Sequence, residues 1–180
     1  MNARGLYYSS DAGQTWQLAT LEDGSQVFES NQITQNGGNV ATAVVWNPVR
    51  RRFYAAIRYH GYYESSDGMM WTRLANQPGT NLSTALCPAN PMLPKSTACP
   101  LFRGALAAQP ATGDLFAPTV DAYNRDQGLW RDMCNLSSGA CASNSVQFGT
   151  QVADIPLQSG SSGAIAQAAF NLYLAAVPSQ

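Results

Sequence analysis

The feature that most constrains this chain is a short device that occurs twice. Ser9-Ser10-Asp11-Ala12-Gly13-Gln14-Thr15-Trp16 follows Gly5-Leu6-Tyr7-Tyr8, and Ser65-Ser66-Asp67-Gly68-Met69-Met70-Trp71 follows Gly61-Tyr62-Tyr63-Glu64. The first reads S-x-D-x-G-x-T-W; the second is the same pattern with one residue fewer between Asp and Trp. The leading glycines stand 56 residues apart, a spacing that marks repeated supersecondary units. The residue types have local reasons. Asp11 and Asp67 accept turn N–H groups in Asx-type turns, and Ser9 and Ser65 add a hydroxyl to the same network. Gly13 and Gly68 supply positive φ. Trp16 and Trp71 are expected to bury their rings beside the turns.

A third copy is degenerate. Gly128-Leu129-Trp130-Arg131-Asp132-Met133-Cys134 aligns with the strand that leads into each turn, but the Ser/Asp/Gly set is missing and Cys134 to Cys141 stands in its place. The expectation is that a disulfide clamps this hairpin. A second landmark recurs: Thr42–Pro48, Gly104–Pro110 and Asn171–Pro178 are small-apolar runs ending at Pro, 62 and 68 residues apart. Such runs fit strands buried on both faces and stopped by Pro.

Composition agrees with a turn-rich all-β protein: 15 Gly, 10 Pro, 10% aromatic and only 12% charged residues. The expected fold is a partial β-propeller of four-stranded antiparallel blades, about two full and two partial. Residues 1–40 carry the end of a first blade (strands Arg4–Tyr8 and Trp16–Ala19) and a connection. Residues 41–75 form a second blade (Ala41–Trp46, Arg52–Tyr59, Gly61–Glu64, Trp71–Leu74), and 76–100 a long loop. Residues 101–154 form a third (Phe102–Ala108, Leu115–Asp121, Gly128–Asp132, Val146–Val152). Residues 155–180 hold a Gly/Ser-rich connection at Ser159–Gly163 and an inner strand, Phe170–Val177, of a fourth. Propellers need about four blades of four strands, so the expected ring is open and the chain a fragment.

The recurrence resembles the Asp-box (bacterial neuraminidase) repeat of sialidase-like propellers, a superfamily of sialidases, xyloglucanase-type glycosidases, sortilin-type receptors, photosystem assembly factors and secreted bacterial proteins. The resemblance implies that the boxes sit on the rim, away from any active centre. It also implies what a sialidase would need: an arginine triad, a Tyr nucleophile with a Glu partner, and an acid/base Asp. The family's Phe/Tyr-Arg-Ile/Leu-Pro hallmark is absent, and Leu101-Phe102-Arg103-Gly104 keeps only Phe-Arg. Arg58 and Arg103 are candidates to face a ligand but do not make a triad. Tyr54, Tyr62 and Tyr63 sit in strand patterns that favour packing.

Asp114, Asp121, Asp126 and Asp132 cluster around the third blade, and Val120–Asp126 reads as a long hairpin loop in which Asp121 and Tyr123 could meet a sugar. The expectation is therefore no catalytic residue here, with a scaffold or a protein- or glycan-binding surface as the role. The alternative is part of a glycoside hydrolase whose catalytic groups lie mostly elsewhere. Expected partners are the remaining blades and a glycan or protein ligand.

Cys87 with Cys99 and Cys134 with Cys141 read as two loop-clamping disulfides, hence an oxidising compartment and a secreted parent whose signal peptide lies outside this segment. Their spacing fits no zinc site, and His60 is the only histidine. Neither a metal nor any other cofactor is expected. Asn81-Leu82-Ser83 and Asn135-Leu136-Ser137 match the N-glycosylation pattern. Net charge is −1, and Arg50-Arg51-Arg52 reads as a solvated hairpin turn rather than a basic face, so nucleic acid is not an expected partner. No apolar run is long enough to span a membrane as a helix.

Overall fold

The computed structural model describes residues 5–24, 26–31, 40–78, 87, 99, 101, 103–121, 123–135, 137, 141, 145–152 and 172–177. The sequon at Asn81, the Ser159–Gly163 connection and most of the expected loop 76–100 lie outside them.

Among these residues the regular structure is all β. The strands are β1 (Tyr7–Tyr8), β2 (Gln17–Leu18), β3 (Thr20–Asp23), β4 (Gln26–Glu29), β5 (Ala41–Asn47), β6 (Arg52–Ile57), β7 (Gly61–Ser65), β8 (Met70–Arg73), β9 (Arg103–Gly104), β10 (Ala107–Ala108), β11 (Leu115–Val120), β12 (Asp126–Asp132) and β13 (Thr150–Gln151). They form three sheets: β1-β2; β4-β3-β8-β7-β6-β5; and β10-β11-β12-β13, with β9 also on β11.

The middle sheet shows why its sequence reads as it does. β5 to β8 make an antiparallel meander in chain order. Side chains alternate faces along a strand. Tyr54 and Ala56 of β6, with Tyr62 of β7, face one core, shared with Leu74, Leu101, Leu106, Leu115, Val146 and Phe148. Ala55 and Ile57 of β6, with Tyr63 of β7, face the other, with Leu6, Ala19, Leu21 and Trp71. A sheet covered on both sides needs apolar residues at consecutive positions, and β6–β7 supply them: Tyr54, Ala55, Ala56, Ile57, Tyr62 and Tyr63 are each 0–1% exposed. The three tyrosines are therefore packing residues. Desolvation pushes the Tyr62 hydroxyl well up, and desolvation with the nearby Glu64 carboxylate raises Tyr54 to about 12.

The structure departs from expectation at four places. β3 and β4 form a hairpin that the sequence map lacks, and β3 pairs parallel to β8, so the middle sheet has six strands rather than four. The chain bends from one sheet to the next at Ala19, whose N–H donates to Leu6 O while its own carbonyl accepts Ser30 N–H. The inner strand expected over 102–108 is split into β9 and β10, both on β11. Of the strand expected over 146–152, only Thr150–Gln151 is strand, and the described part of the expected strand 170–177, residues 172–177, is not a strand. No closed sheet is formed among the described residues.

The three aligned glycines do behave alike. Gly5, Gly61 and Gly128 have φ of 104°, 112° and 101°. Gly61 opens β7 and Gly5 stands two residues before β1, whereas Gly128 lies within β12, and a Cβ at each would meet Ser30 O, Gln77 Oε1 or Trp130 Nε1 at 2.8 Å.

Candidate functional site

Both Ser-x-Asp turns close in the same way. In the first, Ser9 Oγ donates to Asp11 Oδ1 (2.7 Å) and accepts the Gly13 N–H (2.8 Å), while the Asp11 carboxylate accepts Thr15 N–H (2.9 Å) and Thr15 Oγ1–H (2.6 Å). In the second, Ser65 Oγ donates to Asp67 Oδ1 (3.1 Å) and accepts Gly68 N–H (2.8 Å), while Asp67 Oδ1 accepts Met69 N–H (2.8 Å) and Met70 N–H (3.1 Å). Gly13 and Gly68 take φ of 88° and 79°. The Thr15 hydroxyl and amide, then Ser9, hold Asp11 down at about 2. Burial pushes Asp67 up, but the Met70 and Met69 amides and Ser65 outweigh it and leave it below its ordinary value.

The tryptophans differ. Trp71 is 3% exposed, lies opposite Leu21 of β3, and donates Nε1–H to Gly68 O at 2.8 Å. Trp16 is 63% exposed, contrary to the expectation that both rings are buried. It falls one residue before β2.

The third turn is held by charge as well as sulfur. Cys134 and Cys141 stand at disulfide distance with Cα atoms 5.1 Å apart, as do Cys87 and Cys99 at 5.0 Å. The pairing is compatible with an oxidising, extracellular setting. Asp132 stands four residues after Gly128, as Ser65 does after Gly61, and takes over the serine's role in another form. Its carboxylate accepts Gln147 N–H (2.6 Å) and ion-pairs with Arg50. Arg50 is 5% exposed, so the first arginine of the triplet departs from the expected solvated turn, while Arg51 is exposed in the turn between β5 and β6. The Arg50 Nε–H donates to Gly113 O at 2.7 Å, and Asn47 Nδ2–H meets the same carbonyl at 2.9 Å.

Beside it, Asp114 ion-pairs with Arg131 and accepts Cys134 N–H (3.0 Å). Burial drives Asp132 up, with the Gln147 amide and Arg50 offsetting it only in part; in Asp114 the Arg131 and Cys134 bonds prevail over burial and bring it down. Sequence reasoning missed this four-charge network. The one available signal was the register of Asp132 on Ser65.

Asp121, read from sequence as a possible ligand contact, is 4% exposed and ties its own loop. Its carboxylate accepts Tyr123 N–H (2.8 Å), Arg125 N–H (3.0 Å), Arg125 Nε–H (2.7 Å) and Gln127 Nε2–H (3.3 Å). Asp126 accepts Gly128 N–H at 2.8 Å. Tyr123 does stand out, 66% exposed, with the Arg125 guanidinium 5.2 Å over its ring. Arg58 and Arg103 are half-buried at the ends of β6 and in β9. A groove of about 490 Å³ is lined by Arg131, Asp132, Met133, Gln147 and Thr150. Among the described residues no group of three or more His, Cys, Asp or Glu is placed to hold a metal ion, and no helix is long and apolar enough to cross a membrane.

Comparison of the chain with protein-family models, curated proteins and solved structures finds no match. Geometry and chemistry therefore carry the functional reading.

Proposed function

We propose that the chain is a segment of a secreted Asp-box propeller and serves as a non-catalytic scaffold with a protein- or glycan-binding surface. One observation carries the non-catalytic part: Asp11, Asp67, Asp114 and Asp121 each accept hydrogen bonds from the backbone of their own or an adjoining turn, and Asp126 accepts the Gly128 N–H within β12. A carboxylate so occupied holds the turn and is poorly placed to shuttle protons or attack a substrate. The equivalent glycines and the repeated Ser/Asp network support the repeat. The exposed Tyr123–Arg125 pair supplies a flat polar-edged platform of the kind that stacks on sugars or seats a peptide.

The test is a glycan array read alongside a panel of fluorogenic glycosides. The expected result is retention of a subset of glycans, lost in Tyr123→Ala, with no turnover above buffer. One feature favours a second reading, part of a glycoside hydrolase whose catalytic groups lie mostly elsewhere: Asp132, pushed up by burial, lines the groove with Arg131 and Gln147. Turnover that disappears in Asp132→Asn while the fold persists replaces the scaffold reading with that one.

A further inference from the structure

The two disulfides sit in different surroundings. Cys87 and Cys99 are each 0% exposed and belong to the larger core, with Leu74 and Leu101. Cys134 and Cys141 lie outside both cores and are half-buried. Exchange requires an attacking thiolate to reach a sulfur, so a pair near the surface opens before one sealed in a core.

The outer pair also holds a mechanical position. One wall of the groove of about 490 Å³ is the end of β12 with Met133; the other is the returning chain from Ser145 to Thr150. Cys134 follows directly on the first wall and Cys141 precedes the second, so their disulfide joins the two walls at the loop end. At the far end the walls are laced by β13, which pairs Thr150 with Arg131 and Gln151 with Trp130, and by Val152 N–H donating to Leu129 O at 2.8 Å. Between these ends Val146 and Phe148 sink into the larger core, and Gln147 N–H donates to Asp132 Oδ1 at 2.6 Å. Of these hydrogen bonds, the one from Gln147 stands nearest the disulfide along the chain.

We propose that Cys134–Cys141 is a redox-sensitive clasp on this groove: a dithiol opens it while Cys87–Cys99 stays closed, and the loop end of the groove then loosens. One thiolate of the dithiol attacks a sulfur of the pair, the S–S bond breaks and a mixed disulfide forms. The second thiol displaces the protein sulfur. The dithiol leaves as a cyclic disulfide, and Cys134 and Cys141 become two thiols that hold the two electrons and two protons it gave up. The clasp follows from cysteine burial and strand pairing, so it stands whether the groove belongs to a scaffold or to a hydrolase.

The probe is dithiothreitol titrated into the folded 180-residue chain, with alkylation and peptide mass spectrometry to locate thiols and amide exchange to read the groove. Cys134 and Cys141 should take label at least about tenfold faster than Cys87 and Cys99. At that stage the Gln147 amide should exchange at least about tenfold faster than in the oxidised chain, with the Val152 and Leu74 amides unchanged. Cys134→Ser combined with Cys141→Ser should reproduce the fast Gln147 amide without reductant; if that variant fails to fold, the reduced wild-type chain decides alone. Labelling of all four cysteines at one rate overturns the proposal, as does earlier labelling of Cys87 and Cys99. So does a Gln147 amide that keeps its oxidised rate once the outer pair is open.

Discussion

The first and second Ser-x-Asp turns use the same hydroxyl, carboxylate and glycine, yet they are joined to the fold differently. Asp67 accepts the Met69 and Met70 N–H groups, so β8 starts at once and Trp71 arrives opposite Leu21 with its ring inside the smaller core. Asp11 instead spends its carboxylate on Thr15, one residue further on, and Trp16 is carried past the sheet into solvent. The same local turn therefore anchors a core in one place and leaves its tryptophan in solvent in the other. A turn motif fixes a hairpin, while the residue count that follows decides which side chain the sheet receives.

That contrast breaks most sharply if a glycine is inserted between Met69 and Met70, giving the second turn the longer spacing of the first. Trp71 then leaves its register with Leu21, and urea unfolding should show a loss of about 3–5 kcal/mol, the scale of a large core truncation. Trp71→Ala should cost a similar ~3–5 kcal/mol, whereas Trp16→Ala should stay within about 0.5 kcal/mol, as surface changes do. Equal losses for the two tryptophans would dissolve the distinction.

The serines should grade in the same order. Ser65 is 3% exposed and accepts the part-buried Gly68 N–H, so Ser65→Ala should cost about 1–2 kcal/mol. Ser9→Ala, where water can reach the Gly13 amide, should cost nearer 0.5 kcal/mol. The smallest effect is set by pH. Asp11 titrates at about 2 in the folded chain against an ordinary 3.8. Its depressed value means that its contribution is present above pH 4 and is lost as pH falls toward 2, seen as faster exchange of the Thr15 amide while the middle sheet stays intact. An unchanged Thr15 amide down to pH 2 would contradict this linkage.

Much of the fold was legible because the decisive signals were local. The Ser, Asp and Gly of each turn act within four residues of each other, and β5 to β8 are short apolar runs joined by tight turns. The aligned Gly5, Gly61 and Gly128 share a positive φ of 101–112°. What escaped depended on distant partners. The β3–β4 hairpin had a visible cue in Asp23-Gly24, a strong hairpin pair, but the parallel pairing of Thr20–Glu22 with Met70–Thr72 has no local trace. Arg50 reads as a surface charge until Asp132, 82 residues later, arrives to neutralise it. Asp121 looked available because a long polar loop hides the fact that its carboxylate is the loop's own anchor.

The Arg50–Asp132 pair also explains how a third hairpin dispenses with the Ser/Asp network. A buried guanidinium and carboxylate need each other and the polar groups around them; here Gly113 O accepts the Arg50 Nε–H and the Asp132 carboxylate accepts the Gln147 N–H. The disulfide then ties the turn beyond it. Two different chemistries thus close equivalent hairpins.

Backbone amide exchange measures this account most directly. Gly13, Thr15, Gly68, Met69 and Met70 N–H should exchange slowly in the intact chain, with Asp11→Ala releasing only the Thr15 amide of this set and Asp67→Ala releasing only Met69 and Met70. Exchange of all five amides at the rate of an unstructured peptide, with the core of β6 and β7 still protected, would contradict the claim that these aspartates are spent on structure.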